Sequence, residues 1–434
     1  MKHSRKIGIV GLWHLGEVYA AGLAGLGHTV IGYDPDPRVI ENLNKGILPI
    51  AEPHIDELIK KNVADGRLSF TNAVAQLKGI DIIWITFDTP VDENDEPDTK
   101  IIFDILKTCA PQLRKGTMII VTSQVPVGTS YELATLIETL RPDAHFDIAY
   151  VPENLQLGQA HKSFFEPSRI VIGTETKEAA EKIKEIFADI KTEFLEMNLA
   201  SAEVSKHALN AFLATSISFI HDIADLCERT GADVTSVTKA LKSDPRIGPK
   251  AFLSAGIGFS GGTLGRDLSV LLKKSKEHGI KLPVIKASLE KNRSRKLSVE
   301  DKLEKLLGGL HDKTVTIFGL TYKPGTPTLR RSLALEIING LLKRNVRIKT
   351  HDPMTSREEL KNEGFEFFKD PYEAARGAHA LLIITEWPEF LSLDFKKILT
   401  VMKKPAILYD TKNFLSSNED ELKRTGFIYV GTGR

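Results

Sequence analysis

Glu203, Lys206 and Asn210 are spaced so that a helix would carry all three on one face. The text around Lys206 is mostly apolar (Ala202, Val204, Ala208, Leu209, Phe212), and an ammonium partly withdrawn from water there suits proton transfer. The alternative is an ordinary Glu203–Lys206 pair on a helix surface. Glu153 follows Pro152 at the end of a strand-like run, "HFDIAYVPE", where open α/β sheets present groups to ligands; the alternative there is a solvated loop carboxylate. "GIGFSGGTLGRD" (Gly256 to Asp267) places five glycines in ten residues, so backbone amides could wrap an anion or a sugar. The embedded Ile257, Phe259 and Leu264 distinguish it from a flexible linker. In "GLTYKPGTPTLRRS", Lys323, Arg330 and Arg331 either pair with phosphate or form a basic solvated loop.

A second constellation opens the chain. "KIGIVGLWHLGEV" is an apolar run, a turn and the start of a helical pattern. Gly11 and Gly16 hold the first and third glycine positions of a dinucleotide-binding turn, and Trp13 stands at the second. Asp34 closes the next strand-like run, "HTVIGYD", where a carboxylate accepts hydrogen bonds from a ribose and repels a 2′-phosphate, favouring NAD over NADP.

These groups need rigid elements behind them. Strand-like and helix-like segments alternate over the first ~200 residues, the pattern of a parallel sheet covered on both faces. "IDIIWITF" and "TMIIVTS" are near-continuous apolar runs, as strands buried on both faces should be. From Leu199 to about Cys227 the apolar spacing is helical without Gly or Pro, and helical text resumes over Val284 to Leu307. Strand patterns return with "TVTIFG", "NVRIKTHDP" and "HALLIITEW". The expectation is therefore an α/β protein with domains at 1–198, 199–311 and 312–434, the middle one helical.

Composition narrows the classes. At 42% hydrophobic and 26% charged the chain is ordinary globular text, and 58 basic against 57 acidic residues leave no charge excess to draw nucleic acid or an anionic membrane. No apolar run reaches the roughly 20 residues that span a bilayer. The basic start followed by apolar residues imitates a leader, but His14 and Glu17 interrupt it and a strand-turn explains it better. Cys109 and Cys227 form no metal or redox spacing, which fits a reducing cytoplasm.

Taken in order, "PIAEPHIDELI", "TFDTPVDENDEPD", "QVPVGT", "PENLQLGQA", "AEVSKHALNAFLA", "DPRIGPKAFLSAGIGFSGG", "GLTYKPGTPTLRRSLALEII" and "THDP" resemble the UDP-glucose/GDP-mannose dehydrogenase family over essentially the whole chain. The resemblance implies two Rossmann-like doubly wound domains, for NAD and for the nucleotide of the sugar, joined by a long central helical domain that forms a homodimer. It implies oxidation of a nucleotide sugar at a CH–OH group with NAD and no metal, through an aldehyde, a cysteine-bound thioester and hydrolysis. It assigns the hydrolytic role to Glu153, steadying of the sugar oxygen to Lys206 and Asn210, and work with a bound water to Asp267. Arg246 resembles an arginine reaching the sugar of the neighbouring subunit; Lys323 faces the substrate and Arg330 the cofactor. His14, Leu15, Thr89 and Gln124 join Gly11, Trp13, Gly16 and Asp34 on the cofactor side, and Phe259 and Gly261 join the substrate side.

The chain departs from that pattern where the chemistry lies. Thr263 occupies the nucleophilic cysteine position, Ser260 a glycine, Arg266 a lysine, Gln124 a threonine and Leu157 a glutamate, besides Trp13. A threonine hydroxyl without an adjacent base is a far weaker nucleophile than a partly ionised thiol. The expectation is a single two-electron oxidation of a UDP-sugar. Two alternatives stay open: an epimerase that retains its NAD, and a catalytically silent paralogue that binds a nucleotide sugar.

Overall fold

The computed structural model describes residues 4–90, 97–259, 263–329, 332–360 and 364–434. Two compact units divide the chain, Met1–Ala208 and Leu209–Arg434.

The first unit is built on an eight-stranded sheet: β1 (Lys6–Val10), β2 (Thr29–Tyr33), β3 (Leu68–Thr71), β4 (Ile82–Ile85), β5 (Met118–Val121), β6 (Asp147–Tyr150), β7 (Arg169–Gly173) and β8 (Glu193–Met197). Its order is β3-β2-β1-β4-β5-β6-β7-β8. Every residue of β4 (IIWI) and β5 (MIIV) is buried, because helices and their apolar faces cover both sides of the sheet. The parallel expectation needs one correction. β6 and β7 run antiparallel, meeting at Tyr150 and Gly173; a parallel neighbour would need a crossover back to the starting end of β6. The chain order reverses between β1 and β4, and open sheets of this kind bind ligands beyond the carboxyl ends of the strands at that switch.

The second unit holds a six-stranded, wholly parallel sheet: β9 (Thr314–Phe318), β10 (Arg347–His351), β11 (Glu366–Phe367), β12 (Ala380–Ile383), β13 (Ile407–Asp410) and β14 (Ile428–Gly431), in the order β11-β10-β9-β12-β13-β14. The expected long helix runs Leu199–Thr230, with the unit boundary inside it, and the second helical stretch runs Pro283–Leu307. The helix Leu264–Glu277 carries Asp267 in its first turn. Among the described residues no helix is long and apolar enough to cross a membrane.

Candidate active site

In the first unit the turn after β1 keeps the geometry that its glycines demand. Gly11 has φ +97° and donates its amide to Tyr33 O at 2.9 Å. A Cβ on Gly16 would lie 1.8 Å from Gly11 O, so only glycine lets the helix His14–Gly25 start this close to the strand. β2 ends at Tyr33, and Asp34 follows it directly, accepting the Leu12 amide at 2.9 Å and the Asp36 amide at 3.0 Å. Trp13 does not fill the turn. It sits before the first residue of the helix with extended backbone and its side chain 47% exposed, and no side chain caps the helix amides. Those amides remain available to an anion. The cradle at Gly11 and Gly16 and the acceptor at Asp34 therefore fit a dinucleotide.

The other residues assigned to the cofactor divide. Thr89 Oγ1 donates to Gln124 O at 2.7 Å, which joins the loops after β4 and β5. His14 shares a 2.7 Å hydrogen bond between its Nε2 and Glu52 Oε1. Leu15 belongs to the apolar core, leaving only its backbone for a ligand. Arg330 lies outside the described residues, as do Arg331, Ser260 and Gly261.

Two buried carboxyls went unread in the sequence. Glu52 accepts from Gly158 N at 2.7 Å and Ala160 N at 3.2 Å as well as facing His14, and so pins the "PENLQLGQA" segment to the turn. Glu17 is fully buried one turn into the helix, and burial, reinforced by Glu52, pushes its carboxyl up to about 9. It therefore holds a proton at neutral pH. The signal was a lone glutamate in otherwise apolar helical text, Leu15 to Ala21.

The helix pair considered for Glu203 and Lys206 does not form. Glu203 instead accepts from Gly128 N at 2.6 Å and Ser130 N at 2.8 Å, at the start of the helix Thr129–Leu140, where backbone donors are unpaired and favour an anion. Lys206 turns to Glu153: its Nζ lies 2.6 Å from the Glu153 carbonyl and 3.0 Å from Oε1. Glu153 Oε2 takes the Leu155 amide at 2.6 Å. Glu153 is thus an oriented partner of a buried ammonium, not a loose surface carboxylate.

In the second unit Asn210 Nδ2 donates to Asp267 Oδ2, with both side chains buried. Thr263 immediately precedes the helix that carries Asp267, and Asp267 N donates to Thr263 O at 3.1 Å. The Thr263 side chain is exposed and caps nothing. Both cysteines are buried. Burial pushes Cys109 up to about 12 inside the first core, and Cys227 is buried in an apolar cluster with Ile220 and Val234. Among the described residues no group of three or more His, Cys, Asp and Glu could hold a metal.

A cavity of about 560 Å³ opens in the second unit, with Lys242, Lys250, Lys323 and Lys412 around it and Phe252, Phe259, Tyr322 and Phe414 in its wall. Lys412 is held by Glu386, while Lys242 and Lys250 have no carboxylate partner among the described residues. Cations and aromatic faces together suit a phosphorylated nucleotide. Lys323 and Phe259 both line this cavity; Asn292 fixes Phe259, accepting its amide at 2.7 Å and donating to its carbonyl at 3.2 Å. Arg246 is not in the cavity wall; it is exposed and paired with Asp244 at 2.8 Å.

Comparison with known proteins agrees with this division. Residues 5–191 match the NAD binding domain of the UDP-glucose/GDP-mannose dehydrogenase family, 200–294 its central domain and 316–417 its UDP binding domain. The chain is 36% identical to the UDP-glucose 6-dehydrogenase TuaD of Bacillus subtilis, covering 99% of this chain and 93% of that protein. It is 35% identical to the UDP-glucose 6-dehydrogenase of Rhizobium meliloti, covering 99% of both chains. A solved UDP-glucose dehydrogenase from Pyrobaculum islandicum superposes with a TM-score of 0.90 at 29% identity, covering 100% of this chain and 98% of the other.

Proposed function

Since the chain belongs to the UDP-glucose/GDP-mannose dehydrogenase family and is an NAD-dependent oxidoreductase acting on the CH–OH of a nucleotide sugar, we propose that it takes UDP-glucose and oxidises it at C6 by a single two-electron step. The substrate assignment follows the curated relatives, which are UDP-glucose 6-dehydrogenases by name. Dehydrogenases as relatives do not favour the epimerase or the silent paralogue.

NAD, when bound, supplies the hydride acceptor. The Gly11–Gly16 turn would hold its pyrophosphate and Asp34 its ribose. Lys206 steadies negative charge as it develops on the sugar oxygen, with Glu153 fixing the ammonium in place. Asp267, oriented by Asn210, accepts the hydroxyl proton. The nucleotide occupies the lysine-lined cavity, which supports the substrate side of this reading. The observation that carries the one-step reading is Thr263: an exposed hydroxyl that caps nothing, with both cysteines buried elsewhere, gives the aldehyde no thiol with which to form a thiohemiacetal, the adduct that a second hydride transfer would oxidise to a thioester.

We further propose a cytoplasmic homodimer with domains at 1–198, 199–311 and 312–434. Phe212, Phe219 and Leu226 are 70%, 47% and 59% exposed and recur every seven residues on the long helix, a stripe that a second copy would cover. The test is NADH formed per UDP-glucose consumed, with the product weighed by mass spectrometry. A ratio of one and an aldehyde are expected, rising to two and a uronate in Thr263→Cys. A ratio of two in the parent protein would overturn the one-step reading; no turnover of any UDP-hexose would overturn the substrate.

A further inference from the structure

Glu52 stands between the turn after β1 and the segment that carries Glu153, with its side chain closed off from solvent. Three donors from two parts of the chain meet it. His14, the first residue of its helix, brings Nε2 to 2.7 Å from Oε1. The Gly158 amide donates to Oε1 at 2.7 Å and the Ala160 amide to Oε2 at 3.2 Å. An ionised carboxylate only accepts, so the imidazole presents Nε2–H to it. Glu17 lies one turn along the same helix and is fully buried. Burial, followed by the charge of Glu52, pushes its carboxyl up to about 9, against the opposite influence of the Ile50 amide. Glu17 is therefore neutral under working conditions, and Glu52 keeps the negative charge that His14 faces.

The segment from Val151 to Ala160 is fixed at both ends. At its start the Val151 amide donates to Val121 O at 2.9 Å, which ties it to β5. At its far end Glu52 holds Gly158 and Ala160, where the backbone turns at φ +80°. Between these anchors lies Glu153. Its Oε2 takes the Leu155 amide at 2.6 Å, and its Oε1 and carbonyl lie 3.0 Å and 2.6 Å from Lys206 Nζ. Releasing the far end would hand its freedom to the residues that hold this ammonium. At the other extreme, His14 sits on the helix whose uncapped amides fit a diphosphate. One line of contacts therefore runs from that helix through His14, Glu52 and the Gly158 amide to Glu153 and Lys206.

We propose that His14 and Glu52 are positioning residues for the oxidation: they clamp the far end of the Glu153 segment to the helix of the first turn, and through Glu153 they fix the Lys206 ammonium. This inference rests on the reading of Lys206 as the group that steadies the sugar oxygen. It gives His14 a part in turnover that needs no contact between its side chain and the cofactor.

Steady-state kinetics with UDP-glucose and NAD, and calorimetric titration with NAD alone, test this on the parent protein, His14→Asn, His14→Gln and Glu52→Gln. A glutamine side chain carries its N–H where the imidazole has Nε2, whereas an asparagine side chain is too short to reach Glu52. His14→Asn is expected to lose roughly 10- to 100-fold in kcat at saturating NAD. Its KM for UDP-glucose and its NAD Kd should stay within about threefold of the parent values. His14→Gln should recover most of the lost kcat, a rescue that depends on the one hydrogen bond. Glu52→Gln turns an amide NH2 towards backbone donors and should lose at least as much kcat as His14→Asn. The double variant of Glu52→Gln and His14→Asn should lose no more than Glu52→Gln alone, because both act on one line. If Glu52→Gln does not fold, the two His14 variants decide. A His14→Asn protein with kcat within about twofold of the parent, or with its loss in NAD affinity instead, overturns the positioning role. Equal losses in His14→Asn and His14→Gln overturn it as well. A parent protein that does not oxidise UDP-glucose overturns the reading of the site on which the inference rests.

Discussion

The two sheets begin with the same device and use it differently. After β1, Gly11 turns at φ +97° and Asp34 just after β2 accepts the Leu12 amide at 2.9 Å. After β9, Gly319 turns at φ +85° and Asp352 beyond β10 accepts the Leu320 amide at 2.7 Å. There the likeness stops. Asp352 also accepts from the amides of Thr321, Met354 and Thr355, the hydroxyls of Thr321 and Thr355 and the indole of Trp387. Its acceptor capacity is spent inside the protein. Among the described residues Asp34 takes only the Leu12 and Asp36 amides, which leaves lone pairs that fit a ribose. A helix starts directly at the first turn, whereas "GLTYKPGTPTL" lies between the second turn and the next helix, Leu333–Lys343. One topology therefore yields a turn that fits a dinucleotide in one unit and a structural brace in the other. The chemistry is in the spare acceptors, not in the glycine.

The sharpest way to break this comparison is to add one carbon to each turn. Gly16→Ala drives a methyl into Gly11 O, and Gly319→Ala drives one into the Thr385 backbone, 2.6 Å away, at a left-handed φ. Each should destabilise its own unit by on the order of 4 kcal/mol. NAD binding should vanish in Gly16→Ala and survive in any folded Gly319→Ala; a folded Gly319→Ala protein without NAD affinity would contradict the assignment. Exchange of the acids comes next. Asp352→Ala strands a buried donor set and should cost about 3 kcal/mol by denaturant titration, with the NAD dissociation constant unmoved. Asp34→Ala should cost less stability but weaken NAD roughly 10- to 100-fold. Equal effects of the two on NAD would erase the distinction.

The smallest effect comes from a feature that the second turn lacks. Glu17 has its folded pKa raised from 4.5 to about 9. The folded state thus binds a proton that the unfolded state releases above 4.5. The favourable contribution is complete below pH 4.5 and is lost as pH rises towards 9. Glu17→Gln removes that dependence. It should raise stability by on the order of 2 kcal/mol at pH 7 and flatten the decline between pH 4.5 and 9. Melting curves of parent and variant that coincide at pH 8 would show that Glu17 carries no such penalty.

Much of this was legible in the sequence for a physical reason: period and motif are local. The runs "KIGIVG", "IDIIWITF" and "TMIIVTS", the uninterrupted helix after Leu199 and the Asp34 acceptor follow from side-chain patterns within a few residues. β8, half exposed at the sheet edge, and the two-residue β11 leave too weak a pattern to read. The antiparallel seam at β6 and β7 depends on how the chain returns, which no local pattern states. The same limit hid the partner of Lys206. Spacing on the helix offered Glu203, whereas Glu153, 53 residues earlier, supplies the contact and Glu203 serves a neighbouring loop. Glu52 looked ordinary because its importance lies in the three donors that surround it.

The substitution that made the first turn look damaged gives it an optical property. Of the three tryptophans, Trp84 and Trp387 are almost fully buried, 0% and 3% exposed, and only Trp13 faces solvent. A water-exposed indole emits to the red of its buried counterparts, and its emission overlaps the absorption band of a reduced nicotinamide. The protein therefore carries one solvent-exposed indole beside the turn that fits a dinucleotide, set apart by its emission from the two buried ones, so that filling of the turn and the redox state of what fills it would become visible without a label.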